Sequence, residues 1–283
     1  MKIIKELEEF IRHRRELQSA GSSIGFVPTM GALHRGHLRL VEKSLKENEV
    51  TIVSIFVNPT QFGPNEDFSN YPRDLESDCR KLEEKGVAVV FSPPSEQLYP
   101  EGYRSYVQVE KLGKMLCGAS RPDHFRGVTT IVLKLLNIVM PRYAYFGRKD
   151  AQQAIIIKKM AADLNLEPQI LTIEIERDTD GLALSSRNVY LSEAERAAAL
   201  LLPRALVQAK KEIEAGQLDG SRIRENILQL VLESAFVKVD YVEVVTLTGL
   251  ERCREIDVNN TLVAAAIYVG KTRLIDNFIL GEI

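Results

Sequence analysis

Two histidines stand out as groups able to do chemistry, because they lie three residues apart in the segment VPTMGALHRGH. His34 and His37 follow a short apolar stretch that predicts a strand, and a helical pattern follows them. In the first turn of a helix this spacing places both imidazoles on one face, beside free amide groups that favour a phosphate. Gly31 and Gly36 let the backbone approach a ligand closely. Two surface histidines in an ordinary turn would give the same HxGH pattern, which is weak by itself.

Two further segments carry groups that can bind phosphate. FGRKDAQQ (146–153) also lies where a predicted strand passes into a predicted helix. Gly147 permits close approach of the backbone, Lys149 can contact a phosphate, and Asp150 can cap the helix or contact a ribose. In GLALSSRN (181–188), two hydroxyls and a guanidinium follow one another and form a phosphate-binding set. A solvated charged turn and a polar linker would explain these segments when each is taken alone.

Neutral amides and a further histidine complete the candidate residues. Asn58 and Gln61, in FVNPTQFG (56–63), follow the apolar stretch VTIVSIFV at the end of a predicted strand. His124, in HFRG, precedes an apolar helix, so three of the four histidines lie in candidate site loops and only His13 lies in a plain helical stretch. No cysteine or third histidine lies at close ligand spacing to the HxGH pair, which argues against a zinc site.

The elements that must position these residues alternate between strand and helix over the first 175 residues or so. Such alternation predicts an α/β fold with a parallel sheet and helices on both faces, in which ligands bind beyond the carboxyl ends of the strands. The predicted strands are 24–28, 50–57, 87–91, 142–146 and 169–175. The predicted helices are 38–46, 74–85, 127–139 and 150–164, and the N-terminal MKIIKELEEF is also helical in pattern.

The pattern changes near residue 175. The sequence SEAE predicts a helix capped at Ser192 that continues to residue 216, with Pro203 expected to kink or interrupt it. A second helix and three strands, the last two joined by a turn at Gly270–Lys271, complete a smaller α+β unit; these elements are predicted at 221–233, 239–245, 262–269 and 272–275. We therefore expect two domains, 1–175 and 176–283.

Composition excludes several classes of protein. With 283 residues, 45% hydrophobic and 27% charged, the chain is typical of a globular enzyme. Lys plus Arg number 37 and Asp plus Glu number 39, a balance that argues against a nucleic-acid partner. No apolar run approaches the length of a membrane span, and no apolar secretory stretch is evident. Three widely spaced cysteines without CxxC spacing argue against a disulfide framework, and we expect a cytoplasmic protein.

Taken together, these segments resemble the pantothenate synthetase (pantoate–beta-alanine ligase) family. PTMGALHRGH, FVNPTQF, RPDHFRGV, FGRKDAQQ and GLALSSRN occur in that family's order and spacing, and the similarity is strongest between residues 28 and 188. Five ordered motifs are far more specific than HxGH alone. The resemblance implies a Rossmann-like domain of the nucleotidylyltransferase superfamily, a smaller C-terminal lid domain, a homodimer, and the use of ATP and Mg2+.

The resemblance also implies an AMP-forming carbon–nitrogen ligase that works in two steps. The carboxylate of pantoate attacks the α-phosphorus of ATP and releases pyrophosphate. The amine of beta-alanine then displaces AMP from the pantoyl adenylate to form pantothenate. A carboxylate is already ionised at neutral pH, so the first step requires positioning more than it requires a base.

Residue by residue, the resemblance implies binding roles. The residues it places on ATP are Met30, Gly31, Ala32, Leu33, His34, Arg35, Gly36, His37, Gly147, Arg148, Lys149, Asp150, Glu176, Leu184, Ser185, Ser186 and Arg187. Gln61 and Gln153 match the glutamines that hold pantoate, and Gln61 also lies near beta-alanine. The contact of Glu176 with adenine is through the backbone, and the family usually has a small aliphatic residue at that position.

The same resemblance makes His37 the proton donor. The segment NEDFSNY (65–71) resembles a flap over the site, and we assign no specific role to its residues. On physical grounds, His34, His37, Lys149 and Arg187 would stabilise the anionic phosphorus centre and the leaving pyrophosphate. Holding pantoate with neutral glutamines avoids an ion pair that would weaken its carboxylate as a nucleophile. The Mg2+ ligands stay unassigned.

Three other functions share part of this pattern. A nucleotidylyltransferase that adenylates a phosphorylated small molecule has HxGH, but it explains neither the paired glutamines nor the C-terminal domain. A class I aminoacyl-tRNA synthetase should have a larger chain, a KMSKS-like loop and a basic RNA-binding surface. A module that binds ATP without turnover would release no pyrophosphate, whatever acid is added.

Overall fold

A six-stranded parallel sheet forms the centre of the computed structural model, which describes residues 1–64 and 66–283. The strands are β1 (Lys2–Ile4), β2 (Ile24–Thr29), β3 (Val50–Ile55), β4 (Val89–Phe91), β5 (Tyr143–Gly147) and β6 (Gln169–Ile173). Their spatial order is β1-β4-β3-β2-β5-β6. The chain moves outward from β2 to β3 and β4, then returns to place β5 on the other side of β2. The loops after β2 and β5 therefore diverge and open a crevice at the carboxyl ends of the strands.

Helices cover the sheet and lie between its strands in sequence. They are α1 (Leu7–Ser19), α2 (Arg35–Glu47), α3 (Leu75–Glu84), α4 (Ser95–Leu98), α5 (Cys117–Ser120), α6 (His124–Val139) and α7 (Ala151–Asp163). Short 3-10 turns lie at Pro59–Gln61, Leu112–Lys114, Arg148–Asp150 and Ser186–Tyr190. Because both faces of the sheet are covered, its central strands are buried nearly throughout.

The chain after β6 forms a separate α+β unit. Its helices are α8 (Glu193–Ala199), α9 (Leu201–Glu214) and α10 (Gly220–Val231), and its antiparallel strands are β7 (Val237–Thr246), β8 (Asn260–Val269) and β9 (Thr272–Gly281). Alternate residues of β8 point to opposite sides of this sheet. Val263 and Ala265 pack with α9 and α10, whereas Leu262 and Ala264 join the apolar cluster that also contains residues of α6 and α7. The predicted fold class, a Rossmann-like sheet with a smaller α+β unit, is confirmed.

Some element predictions were wrong. The residues Lys2–Ile4 form a strand rather than helix, because they pair with β4. The predicted helix from Ser192 to residue 216 is interrupted between Ala199 and Leu201, and Pro203 lies in the first turn of α9, where its missing N–H breaks no intrahelical bond. Strand β9 continues to Gly281 instead of ending at 275, because it pairs with β8 along its whole length.

The boundaries of several other elements shift by a few residues. Helices α2 and α6 each begin three residues before their predicted start, and β3, β4 and β6 are each two residues shorter than predicted. Among the described residues, no helix is both long enough and apolar enough to cross a membrane.

Candidate active site

Hydrogen bonds with the first turn of α2 fix the orientation of both HxGH histidines. His34 is the N-cap residue, and its Nδ1 accepts from the Gly36 N–H at 3.1 Å. The Nδ1 atom of His37 accepts from the His34 N–H at 3.3 Å, and the two rings stack with centroids 4.0 Å apart. Because Nδ1 accepts in each ring, the proton of each neutral imidazole lies on Nε2. The helix start therefore presents two N–H donors of defined tautomer.

These two imidazoles are neutral at physiological pH. Burial, followed by the nearby charge of Lys149, lowers the pKa of His34 to about 4. Burial also lowers the pKa of His37 well below its usual value, with His34 and Lys149 adding to the effect. Both side chains can thus donate hydrogen bonds to an anion, but neither contributes a positive charge.

A buried carboxylate holds the loop that leads into α2. Asp78 of α3 is only 1% exposed, and its two oxygens accept from the N–H groups of Ala32 and Leu33, each at 2.8 Å. Gly31 and Ala32 both have a left-handed backbone, with φ of +85° and +51°. Such a loop is strained for alanine and requires external support, which Asp78 supplies. This residue was not among those predicted from the sequence.

A signal for Asp78 was present in the sequence. Leu75, Cys79 and Leu82 lie on one face of α3, and Asp78 lies on that same face at helical spacing. A carboxylate on the core-facing side of a helix must find hydrogen-bond donors, because an unpaired buried charge is very costly.

Most of the predicted site residues line one cavity of about 240 Å³ at the carboxyl ends of the strands. They are Met30, His34, Gly36, His37, Gln61, Gly147, Lys149, Asp150, Gln153, Glu176, Leu184, Ser185, Ser186 and Arg187. Asn58 and His124 also line this cavity. Segments far apart in the sequence therefore meet at one place.

The remaining five predicted residues are not part of that lining. Gly31 and Ala32 belong to the loop held by Asp78, and Leu33 packs in the core between the sheet and its helices. The Arg35 guanidinium donates to the carbonyl of Arg177 at 3.0 Å.

Arg148 is the fifth of these residues, and its side chain turns to strand β6 and the segment after it. Its Nε atom donates to the Thr172 hydroxyl at 3.1 Å, and its guanidinium pairs with Glu174.

The two glutamines of the cavity differ in their surroundings. The Gln61 Oε1 accepts from the Asn58 amide at 3.0 Å, and Asn58, 1% exposed, is itself fixed because its Oδ1 accepts from the Tyr99 hydroxyl at 2.9 Å. Gln153 lines the cavity, whereas its neighbour Gln152 is turned towards the segment 112–117, where it hydrogen-bonds three backbone groups. The sequence QQ alone did not distinguish these two environments.

A larger cavity of about 940 Å³ adjoins the first one and is closed on its other side by the C-terminal unit. The two cavities share Arg121, His124, Lys149, Asp150, Gln153, Ser185 and Arg187. Residues of β7, β8, β9 and the turn between β8 and β9 supply the opposite wall, among them Tyr241, Tyr268, Lys271, Arg273 and Asn277. The shared residues place Lys149 and Arg187 at the junction of the two spaces.

Two acidic residues pair with two arginines at this junction. Asp67 binds the Arg187 guanidinium through two hydrogen bonds, at 2.8 and 3.0 Å. Glu66 binds Arg121 in the same manner, with both contacts at 2.6 Å. Both carboxylates belong to the segment that resembles a flap, of which Asn65 lies outside the described residues.

His124 supports the cavity wall as a neutral group. Its Nδ1–H donates to the carbonyl of Gln61 at 2.8 Å, and its Nε2 accepts from Arg121 at 3.1 Å. Burial, together with the charge of Arg121, lowers the pKa of His124 to about 4.

Comparison with known proteins identifies the family to which a chain with this site belongs. The model of the pantoate-beta-alanine ligase family matches residues 2–279. The chain belongs to this family. It is 51% identical to the pantothenate synthetase of Pelotomaculum thermopropionicum over 280 residues, which covers 99% of this chain and 98% of that protein. It is also 51% identical to the pantothenate synthetase of Pseudothermotoga lettingae over 283 residues and the full length of both chains.

Solved structures agree with this assignment. The pantothenate synthetase of Thermus thermophilus superposes with a TM-score of 0.93 at 38% identity, and the match covers the whole of both chains. The pantoate-beta-alanine ligase of Francisella tularensis, solved in complex with beta-gamma ATP and beta-alanine, gives a TM-score of 0.81 at 35% identity and covers 99% of this chain and 97% of that one. The resemblance stated from the five motifs is therefore confirmed.

Proposed function

We propose that this chain condenses pantoate with beta-alanine to form pantothenate, using ATP and passing through a pantoyl adenylate. The observation that carries the proposal is the position of the two uncharged glutamines, Gln61 and Gln153, in the same small cavity as His34, His37 and Lys149. A site for a carboxylate thus lies directly beside a set of phosphate-binding groups, as adenylation of an acid requires.

In the first step, Gln61 and Gln153 hold the carboxylate of pantoate. Asn58 fixes the Gln61 amide, so this group is oriented before the acid arrives. Neither glutamine carries a charge, so no ion pair with these two side chains weakens the carboxylate as a nucleophile when it approaches the α-phosphorus of ATP.

Negative charge then grows on the phosphate oxygens, and the donors of the cavity stabilise it. The Nε2–H groups of His34 and His37 are fixed in place by the start of α2, so they need no reorganisation during the reaction. Lys149 and Arg187 supply positive charge to the leaving pyrophosphate, with Ser185 and Ser186 as further donors. Arg187 must exchange its partner Asp67 for a phosphate oxygen in order to do this.

The remaining ATP contacts follow the lining of the cavity. Met30 and Gly36, towards the two ends of the loop before α2, and Gly147 line the cavity, and we propose that they approach the nucleotide through their backbone. Gly31, Ala32, Leu33, Arg35 and Arg148 lie outside this lining. Glu176 and Leu184 lie together, joined by a hydrogen bond from the Leu184 N–H to the Glu176 carbonyl at 2.9 Å. We propose that adenine lies at this end of the cavity.

Mg2+ fits this site as an ion that arrives with ATP. The described part of the chain contains no group of three or more His, Cys, Asp or Glu residues that could hold a metal ion. Protein sites for Mg2+ in phosphate chemistry commonly need only one or two carboxylates, because phosphate oxygens and water complete the shell. Asp150 is exposed, lines both cavities and follows Lys149 directly, so it would supply such a carboxylate. When bound, the ion would neutralise charge on the phosphates.

We also propose that residues 1–175 form the domain that binds ATP and pantoate, and that residues 176–283 form a lid domain. The end of β6 at Ile173 and the separate sheet β7–β9 support this boundary. A mixed anhydride reacts readily with water, so a lid over the cavity would protect the adenylate from hydrolysis.

A homodimer is proposed from the family resemblance, and sedimentation of the purified chain would test it. The three free cysteines support a location in the cytoplasm.

The proposed function is tested by pyrophosphate release from ATP and Mg2+, measured with a panel of small hydroxy acids. Pantoate without beta-alanine should give a burst of about one pyrophosphate per active site, because the adenylate has no amine to accept it. Adding beta-alanine should restore steady turnover with AMP as the nucleotide product. ADP as the product would refute adenylation. Turnover only with a phosphorylated acceptor would favour a nucleotidylyltransferase, and ATP binding without any release would favour a non-catalytic module.

A further inference from the structure

A side chain of the C-terminal unit reaches the phosphate-binding turn of the large sheet. The Nδ2 amide of Asn277, on β9, donates to the carbonyl of Arg148 at 3.0 Å and to the carbonyl of Lys149 at 2.8 Å. Asn277 is 4% exposed, and it lies 128 residues from Lys149 in sequence. These bonds use both N–H donors of the amide, so the turn is held from outside by one group.

The orientation of this amide is determined by its partners. If the carboxamide were reversed, its oxygen would face two carbonyl oxygens, and both contacts would become repulsive. In the orientation observed, the Asn277 Oδ1 is buried and has no partner within the described residues. Asn277 also lines the larger cavity, beside Lys149 and Asp150. The two bonds that the amide donates offset part of the cost of burying its unpaired oxygen.

The other contacts of this turn lie on the side of β6. Gly147 pairs with Ile173, and the Arg148 side chain binds Thr172 and Glu174. Asp150 does not cap the start of α7 with its side chain. Asn277 therefore holds the carbonyls of Arg148 and Lys149 from the side of the C-terminal unit.

The neighbouring residue acts on the other phosphate-binding segment. Asp276 is 2% exposed and binds the Arg177 guanidinium through two hydrogen bonds, at 2.6 and 2.9 Å. Arg177 in turn donates to the carbonyl of Gly181 at 3.1 Å, at the start of GLALSSRN. Asp276 also accepts from the Asn277 N–H at 2.8 Å, which joins the two residues into one unit.

We propose that Asn277 is a positioning residue, which sets the turn at Arg148–Asp150 so that Lys149 meets the phosphates of ATP. Asp276 supports the segment 181–187 in the same way through Arg177. Adjacent residues of β9 thereby hold both phosphate-binding segments, and through Asn277 they join the C-terminal unit to the turn after β5. This inference rests on the proposed function, because it takes Lys149 as a phosphate-binding residue.

The test compares Asn277→Ala and Asn277→Asp with the matched control Asn226→Ala. Asn226 lies on α10, and its amide donates to Glu212 at 2.7 Å, away from the residues that line the cavities. Loss of the two bonds in Asn277→Ala should raise the KM for ATP about tenfold and leave the KM for pantoate within about twofold. Asn277→Asp should be worse than Asn277→Ala, because a carboxylate of the same shape repels both carbonyls. Asn226→Ala should change neither KM.

A double-mutant cycle separates positioning from mere stabilisation. If Asn277 acts through Lys149, then Asn277→Ala should cost less than about threefold in kcat/KM for ATP when Lys149→Ala is already present. Full additivity of the two losses would overturn the proposal, and so would an unchanged KM for ATP in Asn277→Ala. If Asn277→Ala does not fold, the cycle is run with Asn277→Ser, whose polar hydroxyl is one bond too short to reach either carbonyl and should raise the KM for ATP as Asn277→Ala does.

Pyrophosphate release by the wild-type enzyme distinguishes failure of the proposed function from failure of the positioning role of Asn277. Absence of pyrophosphate release from the wild type with pantoate would refute the proposed function itself. Normal release from the wild type, combined with an unaffected Asn277→Ala variant, would refute only the positioning role.

Discussion

Replacing Asp78 by alanine should release the loop between β2 and α2, which carries residues proposed to bind ATP, while the sheet stays intact. The change removes two hydrogen bonds from backbone N–H groups to a charged, buried acceptor. Each such bond is worth about 1.5–3 kcal/mol, so the free energy of unfolding should fall by about 3 kcal/mol or more. A domain of ordinary stability, about 5–15 kcal/mol, survives that loss. We expect Gly31 and Ala32 then to leave their left-handed conformations, because the remaining bonds, from the Gly31 N–H to Thr29 and from Lys81 to the Leu33 carbonyl, do not involve the Ala32 N–H.

The functional consequence of Asp78→Ala should be a fall of about 100-fold in kcat/KM for ATP, similar to the loss of one transition-state donor. Urea unfolding and pyrophosphate release, measured on the same preparation, check the two effects. Asp78→Asn keeps one acceptor oxygen, so its free energy of unfolding and its kcat/KM for ATP should lie between those of Asp78→Ala and the wild type. Asp74→Ala is the matched control on α3, because Asp74 only caps that helix through the Ser77 N–H. It should cost about 1 kcal/mol with no change in ATP kinetics. Wild-type kcat/KM for ATP in Asp78→Ala would refute the argument.

Three further perturbations test other parts of the site. Because the pKa values of His34 and His124 are about 4 in the folded state and about 6.5 when unfolded, the unfolded chain binds more protons between these values. Stability should therefore be level above about pH 7 and fall as the pH drops from 6.5 to 4; a urea midpoint that is equal at pH 7 and pH 5 would contradict this. Asp67→Asn should lower the KM for ATP about two- to fivefold, because it removes the carboxylate that competes with phosphate for an arginine; an increase in KM would show that the pair assists binding. Gln153→Ala should weaken the binding of pantoate about ten- to hundredfold without affecting the binding of ATP, whereas Gln152→Ala should lower the unfolding midpoint. Calorimetric titration of both variants with pantoate checks this; weaker pantoate binding in Gln152→Ala but not in Gln153→Ala would show that the two glutamines have been assigned the wrong way round.

Local patterns explain what could be predicted from the sequence. Apolar runs alternating with helical stretches indicated the parallel sheet, and the HxGH pair at a strand-to-helix junction indicated the phosphate end of the site. These features depend on residues close together in the chain. Five motifs in fixed order then identified the family, which composition and periodicity alone could not have done.

Long-range contacts explain what could not be predicted. The three residues of β1 form a strand because β4 lies beside them, and β9 extends to Gly281 because β8 offers a partner along that length. Asp78 bonds a loop 45 and 46 residues away, and Asn277 bonds carbonyls 128 and 129 residues away. In the same way, Gln152 and Gln153 are identical in type and adjacent, and only the packed structure gives them different partners.

The apolar cluster that joins β8 to α6 and α7 has a consequence for how the molecule denatures. Leu262 and Ala264 share this cluster with side chains such as Leu136 and Ile156, so neither part can lose its structure without exposing apolar surface of the other. Heat or urea should thus melt the chain in a single cooperative transition rather than one part at a time. Native-state hydrogen exchange should accordingly report the same opening free energy for the amides of β8 and of β2.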